Sequence, residues 1–209
     1  ENNLPGAVRG TGASRALVIC SPSINRQTDL VQRIKAALGS HYAGVFDGIE
    51  NDSTYGSVQA ATAAAREADA DLLVAVGGGS VIVSVRAVAI FLAEPGDPFE
   101  IMTQYPEGEP AYSPRLMEPK LSIINIPTTP TSAMNRAGTG LKNPGLDQRM
   151  EYFDPKTRPQ AILLDEDALL TPPWEVWRST STTVFAGLVG GMSQTDMNPF
   201  VAGDQRHAF

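Results

Sequence analysis

The sequence predicts an α/β protein built around a parallel β-sheet. Short apolar segments, typical of buried strands, alternate with segments in which apolar residues recur at helical spacing. One apolar strand, residues 71–76, passes through three consecutive glycines, Gly77 to Gly79, into an apolar helix that extends to about Leu92. Strands that alternate with helices over short distances favour parallel β-α-β units, whose ligands bind at the carboxyl ends of the strands.

Two further strand–helix units precede this one. Residues 15–20 (RALVIC) are expected to form a buried strand, and residues 28–39 a helix that stops at Gly39. Residues 43–49 form the second predicted strand, and the alanine-rich helix after it has Ser57 as its expected N-cap.

The second half of the chain is less regular. Residues 94–119 are rich in proline, glycine and acidic residues without a sustained period, so we expect a surface excursion there. Strands are predicted at residues 121–126 and 159–165. A helix begins near Pro172 and Pro173, because proline is well tolerated in the first turn of a helix.

Composition argues against several classes of function. A net charge of −7 disfavours binding to a nucleic-acid backbone, which requires a clustered basic face. The longest apolar run, residues 81–93, contains Arg86 and is shorter than the roughly 20 residues of a membrane span. The first ten residues lack the features of a signal peptide, and Cys20 has no second cysteine to pair with. We therefore expect a cytoplasmic protein with neither nucleic acid nor membrane as partner.

Two polar segments follow predicted parallel strands and could bind phosphate. The turn Gly77–Ser80 offers backbone N–H donors and the positive end of a helix dipole, although it matches neither GxGxxG nor a P-loop. The second segment, IPTTPTS, presents hydroxyls from Thr128, Thr129, Thr131 and Ser132. Each segment alone could be a turn or loop without a ligand. Together, at the ends of two parallel strands, they favour a phosphate-bearing ligand.

Three segments carry a resemblance to a known family. AVGGGSVI (residues 75–82), IINIPTTPTS (residues 123–132) and DPKTRPQAILLDEDALLTPP (residues 154–173) occur in the order and spacing of the iron-containing alcohol dehydrogenases. The resemblance extends from about Arg15 to about Phe200. Within that family the chain is most similar to the maleylacetate reductase branch.

The resemblance implies a Rossmann-like dinucleotide-binding domain over residues 1–170. Residues 171–209 would be the beginning of an all-helical domain, most of which we expect to be missing from this chain. The implied function is NAD(P)-dependent oxidoreduction, in which hydride passes between nicotinamide and an alcohol or carbonyl substrate, for example one like maleylacetate. Most members also hold a divalent metal, iron or zinc, between their domains, and relatives commonly form homodimers.

The resemblance also implies which residues would contact NAD or NADP. These residues are Ser21, Gly78, Gly79, Ser80, Thr128, Thr129, Ser132, Leu141 and Arg149. The glycines and Ser80 would hold the pyrophosphate, and Leu141 would lie near the nicotinamide. Arg149, or its neighbourhood, would take the place of a lysine that contacts the cofactor in many members. Ser21 would replace an aspartate that binds the adenosine ribose in many members, which would weaken discrimination against NADP.

The chain departs from the family pattern at several positions. Val83 and Arg86 stand where an aspartate and a lysine are common after the glycine turn. Thr183 and Gly187 fall where metal-dependent members carry an aspartate and a histidine, and these residues make no transition-metal site. His207, near the end of the chain, is expected to be a solvated surface residue rather than a replacement ligand. We therefore expect no bound metal.

These departures leave two main hypotheses. The first is an oxidoreductase in which positioning and hydrogen bonding replace the metal. For a dianionic substrate, Arg86, Arg136 and Arg149 could supply positive charge. The alternative is a degenerate or truncated family member that binds a dinucleotide without turnover. A weaker third hypothesis is a relative that acts on a phosphorylated polyol.

Overall fold

The computed structural model describes residues 3–193. The strands are β1 (Ala16–Cys20), β2 (Tyr42–Phe46), β3 (Leu72–Gly77), β4 (Ser122–Pro127), β5 (Gly138–Leu141), β6 (Met150–Phe153) and β7 (Ala161–Ile162). The helices are α1 (Leu4–Thr11), α2 (Pro22–Gln27), α3 (Leu30–Leu38), α4 (Tyr55–Glu67), α5 (Gly79–Ala93), α6 (Pro98–Ile101), α7 (Glu166–Leu169) and α8 (Trp174–Ser193).

Five of the strands form a parallel sheet in the order β2-β1-β3-β4-β7. The chain leaves β1 for β2 on one side and then crosses back to β3 on the other side. The connections therefore change direction between β1 and β3, and α/β sheets bind ligands at such a switch point. The predicted α/β fold with a parallel sheet is confirmed.

Helices cover both faces of the sheet, and the strands are buried accordingly. Every residue of β3 is buried, because Leu73 and Ala75 pack with α4 and α5 while Leu72 and Val74 pack against the α1 and α3 face. A strand buried on both faces has a continuous apolar sequence rather than an alternating one. This is why β3 could be recognised from its sequence.

Helix α5 is buried on nearly all sides. One side packs on the sheet, and another packs on an antiparallel hairpin formed by β5 and β6. Its apolar residues consequently surround the helix instead of forming one stripe. The sequence analysis did not predict this hairpin.

Several predicted boundaries require correction. The N-cap of α4 is Thr54, whose hydroxyl accepts the N–H of Ser57 at 3.3 Å, so the helix begins earlier than expected. The strand predicted at residues 159–165 is reduced to β7. The excursion at residues 94–119 is not wholly at the surface, because Met102 and Leu116 are buried against the core.

The predicted domain boundary after residue 170 falls between α7 and α8. Helix α8 exposes several large apolar side chains, including Trp174 and Phe185. None of the helices within residues 3–193 combines the length and apolar character that crossing a membrane requires.

Candidate functional site

The glycine turn joins β3 to α5 at the switch point of the sheet. Gly77 ends β3 with φ of 156°, and a Cβ atom there would lie 2.6 Å from the side chain of Val81. A Cβ on Gly78 would lie 2.9 Å from the hydroxyl oxygen of Thr129, and one on Gly79 would lie 3.3 Å from that of Thr131. The glycines therefore allow the hydroxyl-rich loop after β4 to lie directly against the first turn of α5.

The two predicted phosphate-binding segments are thus adjacent in space. The backbone N–H of Thr128 donates to the carbonyl of Gly77 at 3.0 Å and links them. The hydroxyl of Thr129 is buried beside Gly78 and has no hydrogen-bond partner in the part of the chain that the structure describes. A buried hydroxyl normally has a partner, so this one is suited to a ligand oxygen.

Ser80, in the first turn of α5, is held by a loop after β2. Its hydroxyl oxygen accepts the N–H of Asp52 at 3.1 Å, and its carbonyl accepts the hydroxyl of Ser53 at 2.9 Å. Because the Ser80 oxygen accepts this bond, its own hydrogen remains available to donate to a ligand. Asp52 and Ser53 have positive φ values of 69° and 54°, a conformation that costs free energy in residues with a side chain.

Arg149, the residue just before β6, contacts the same loop. Its guanidinium forms an ion pair with the Asp52 carboxylate and donates to the carbonyls of Asp52 and Gly140, each at 3.2 Å. The hydrogen bond from Arg149 lowers the pKa of Asp52 below its usual range, and Lys142 contributes to the same effect. Asp52 therefore stays ionised and orients Arg149 along the wall of the site.

A cavity of about 680 Å³ lies between the first turns of α5, the Asp52 loop, the loop after β4 and the β5–β6 hairpin. Four of the predicted cofactor residues line it: Gly79, Ser80, Ser132 and Arg149. Two carboxylates, Asp52 and Glu151, and two further arginines, Arg86 and Arg136, are also on its walls. The cavity thus extends from the glycine turn toward the hairpin.

Arg86 is the most buried charged group in this wall, with 2% of its surface exposed. It donates to the carbonyls of Gly138 at 2.7 Å and Ala133 at 2.8 Å. Burial, together with the charge of Arg136, lowers the pKa of Arg86 to about 10, so it is still protonated at neutral pH. Within residues 3–193 no carboxylate lies within ion-pair distance of it. A cation without a counter-ion beside a cavity attracts anions.

Thr128 and Thr129 lie in the loop after β4 without lining the cavity, whereas Ser21 and Leu141 lie outside the glycine turn, this loop and the cavity wall. Ser21 follows β1 and is the N-cap residue of α2, with its hydroxyl 3.0 Å from that of Ser23. Leu141 is fully buried in the core and pairs with Met150 across the hairpin. The contact of Leu141 with the nicotinamide stays a prediction, and its buried place in the core does not support it.

Thr183 and Gly187, the positions that align with metal ligands of the family, lie on α8. Thr183 donates its hydroxyl to the carbonyl of Ser179 at 2.9 Å, and Gly187 is exposed with open space around it. Over the described range no three His, Cys, Asp or Glu side chains come together in a metal-binding group. These residues do not fit iron or zinc. His207 lies outside the described residues.

The Asp52 loop was missed in the sequence analysis. Its segment, Asn51-Asp52-Ser53, consists of residues that favour turns and tolerate positive φ. That signal indicates a turn, but it gives no information about which helix the turn contacts.

The fold and the site define a Rossmann-like α/β protein with a glycine turn at the switch point of its sheet. The sequence model "Iron-containing alcohol dehydrogenase" matches residues 1–166, and the chain belongs to this family. The resemblance noted from the sequence is thereby confirmed.

Individual relatives agree with this assignment. Maleylacetate reductase 2 of Cupriavidus pinatubonensis is 33% identical over 196 residues, which is 94% of this chain and 46% of the relative. A putative alcohol dehydrogenase from Ralstonia eutropha has a TM-score of 0.73 at 29% identity, over 95% of this chain and 47% of that one. Sulfoacetaldehyde reductase from Bifidobacterium kashiwanohense, solved with NAD+, shares the fold, with a TM-score of 0.82 at 19% identity over 99% of this chain and 53% of that one. The chain spans about half the length of the curated relatives it matches.

Proposed function

We propose that this chain is the dinucleotide-binding part of an NAD(P)-dependent oxidoreductase that interconverts an alcohol and a carbonyl compound. The observation that carries the proposal is the unpartnered, buried hydroxyl of Thr129 beside Gly78, at the switch point of the sheet. A structural turn gains nothing from an unsatisfied hydroxyl, whereas a phosphate oxygen would satisfy it. A relative solved with NAD+ shares this fold.

The residues around the turn have complementary roles in this proposal. The N–H groups in the first turn of α5 lack intrahelical acceptors, and they would bind the pyrophosphate together with the hydroxyls of Ser80 and Thr129. The Asp52 loop would hold Ser80 and Arg149 in place before the cofactor arrives. Bound NAD(P) supplies the hydride chemistry, since the nicotinamide ring accepts and donates hydride.

The charge of the cavity favours an anionic substrate. Arg86 and Arg136 are close enough for the charge of one to lower the pKa of the other, and neither has a carboxylate partner in the described part of the chain. A substrate like maleylacetate carries carboxylates that would match this charge, and relatives of this chain are maleylacetate reductases. No step of the proposal uses a metal, because Thr183 and Gly187 do not fit one.

Homodimer formation, NADP use and a cytoplasmic location belong to the same proposal as predictions from the resemblance. The alternative of dinucleotide binding without turnover shares the cofactor site and differs only in activity. Binding is therefore the property to measure first.

The test is a fluorescence titration of the 209-residue chain with NADH and with NADPH, using Gly79→Asp as the disrupting variant. A carboxylate at the first residue of α5 would repel the pyrophosphate, so we expect micromolar binding to weaken at least tenfold. Gly10→Asp is the matched control, because Gly10 lies in α1, is exposed and has open space around it. Failure of the native chain to bind either cofactor, or equal binding by both variants, would refute the proposal.

A further inference from the structure

A second cavity, of about 380 Å³, adjoins the cavity of about 680 Å³ described above, which we call the first cavity. Ser113 and Phe153 line both cavities. Phe153, the last residue of β6, is 51% exposed although it lies on the wall of two concave surfaces. Ligands bind preferentially to concave surfaces with apolar walls and a few polar groups. One ligand that occupied both cavities would cover the exposed ring of Phe153.

Hydrogen bonds fix the wall that the two cavities share. Gln104 and Tyr112 exchange backbone hydrogen bonds of 2.8 and 3.1 Å, which bring the two arms of the excursion together. The N–H of Thr103 donates to the carbonyl of Glu151 at 2.7 Å and attaches these arms to β6. The hydroxyl oxygens of Thr103 and Ser113 lie 2.8 Å apart. Ser113 is therefore held in place before any ligand binds.

The wall of the second cavity carries an uncompensated positive charge. Its charged residues are Arg115, Lys156 and Asp154. The Asp154 oxygen Oδ2 lies 3.1 Å from both Lys120 and Lys156, and Lys120 also lies 2.6 Å from Glu94. These two lysines and two carboxylates neutralise one another. The side chain of Arg115, an exposed residue, has no hydrogen-bond or ion-pair partner within residues 3–193, so its charge is the one left over.

The first cavity also has an excess of positive charge. Its wall carries three arginines and two carboxylates, which are Arg86, Arg136, Arg149, Asp52 and Glu151. The chain as a whole has a net charge of −7, so two adjoining cavities with a positive excess stand out from its composition. Such local charge raises the concentration of anions at a cleft. Each cavity therefore favours one anionic group.

We propose that the second cavity binds the distal carboxylate of an elongated organic acid, with Arg115 as its anchor. The other end of the acid lies in the first cavity, and its apolar middle lies on the ring of Phe153. A compact dianion fits within the first cavity alone, because about 680 Å³ is the volume of an ordinary ligand pocket. The second cavity extends the site toward longer acids. That such an acid is the substrate rests on the proposed function.

Two interactions contribute to binding, and they can be measured separately. The planar guanidinium of Arg115 can donate two parallel N–H groups to one carboxylate, and such charge-assisted bonds are stronger than neutral ones. The apolar chain contributes through burial against Phe153. An acid of the same length with a single carboxylate lacks one of the two ionic contacts but keeps the apolar one. The difference in affinity between the two acids therefore isolates the ionic contact with Arg115.

The experiment measures the Kd values of azelate, nonanoate and succinate by titration calorimetry of the 209-residue chain at low salt, with and without saturating NADH. We expect azelate to bind about tenfold more tightly than nonanoate, which has the same length but one carboxylate. Arg115→Gln should remove this advantage and leave the Kd of succinate unchanged, because succinate fits in the first cavity. Ser113→Phe, which narrows the junction of the cavities, should also remove it. Arg178→Gln is the control, because Arg178 is exposed on α8 and lines neither cavity.

The outcomes separate this inference from the proposed function. If NADH binds but azelate has no advantage over nonanoate, the subsite is refuted while the proposed function stands. An advantage that survives in Arg115→Gln, or that is lost equally in Arg178→Gln, also refutes the role of Arg115. If NADH does not bind and the azelate advantage still depends on Arg115, the subsite is supported as an anion site, whereas the proposed function is refuted.

Discussion

The buried hydroxyl of Thr129 allows one substitution to separate stability from ligand binding. Thr129→Val replaces the hydroxyl with a methyl group of nearly the same shape. The hydroxyl is buried without a partner, and such a group costs about 1–3 kcal/mol, so the ligand-free variant should be more stable by on the order of 1 kcal/mol. For a chain of this size that corresponds to an increase in Tm of about 2–4 °C.

The same substitution should weaken binding of the dinucleotide. A hydrogen bond to a charged phosphate oxygen contributes about 1.5–3 kcal/mol, which is roughly a 10- to 150-fold change in Kd. The assay is thermal unfolding of the ligand-free chain together with NADH titration of the folded chain. Thr62→Val is the matched control, because Thr62 is equally buried but donates to the carbonyl of Val58 on α4, away from the site.

The reasoning fails if Thr129→Val lowers the Tm of the ligand-free chain, because the hydroxyl would then have a partner before the ligand arrives. It also fails if the Tm rises and the Kd for NADH is unchanged. In that case the hydroxyl is unsatisfied for a reason other than the cofactor.

Two further predictions concern stability. Gly77→Ala should destabilise the chain by about 1–3 kcal/mol, because the new Cβ would lie 2.6 Å from the side chain of Val81. Gly56→Ala is the control and should be neutral or stabilising, because a Cβ on Gly56 in α4 would meet open space. Urea unfolding of the two variants measures the difference, and equal effects would contradict the packing argument. Burial alone would raise the pKa of Asp154, but hydrogen bonds from a backbone N–H and from Lys120 lower it overall. A lowered folded-state pKa gives stability that is present above the unfolded value near 3.9 and is lost as the pH falls through the folded value. The urea concentration at the unfolding midpoint should therefore decrease in the native chain when the pH falls below about 4, and it should decrease much less in Asp154→Asn. Midpoints that decrease in parallel for the two proteins would refute this.

The features predictable from the sequence have local signals. A strand buried on both faces reads as an uninterrupted apolar run, and a helix that begins at Gly79 is marked by the glycines before it. The same holds for the hydroxyl loop at Thr128 and Thr129, which follows directly on the apolar strand β4. These signals were sufficient for the parallel α/β fold and, through the order of the motifs, for the family.

The features that were missed depend on contacts between distant parts of the chain. Arg149 and Asp52 are 97 positions apart, and the bond between them follows from the way the hairpin packs on α5. The hairpin itself has short strands with glycines at Gly138 and Gly140, which give a weak strand signal. Leu141 has an apolar side chain that would suit either a ligand or the core, and only the packing shows that it faces the core.

Helix α5 also fixes the distance between two polar groups on the cavity wall. Ser80 and Arg86 are separated by six residues of one buried helix, a rise of about 9 Å. The sheet and the hairpin both pack on this helix, so the spacing between its first turn and Arg86 is set by the fold. Under the proposed function, this fixed spacing separates the pyrophosphate of the cofactor from the anionic group of the substrate.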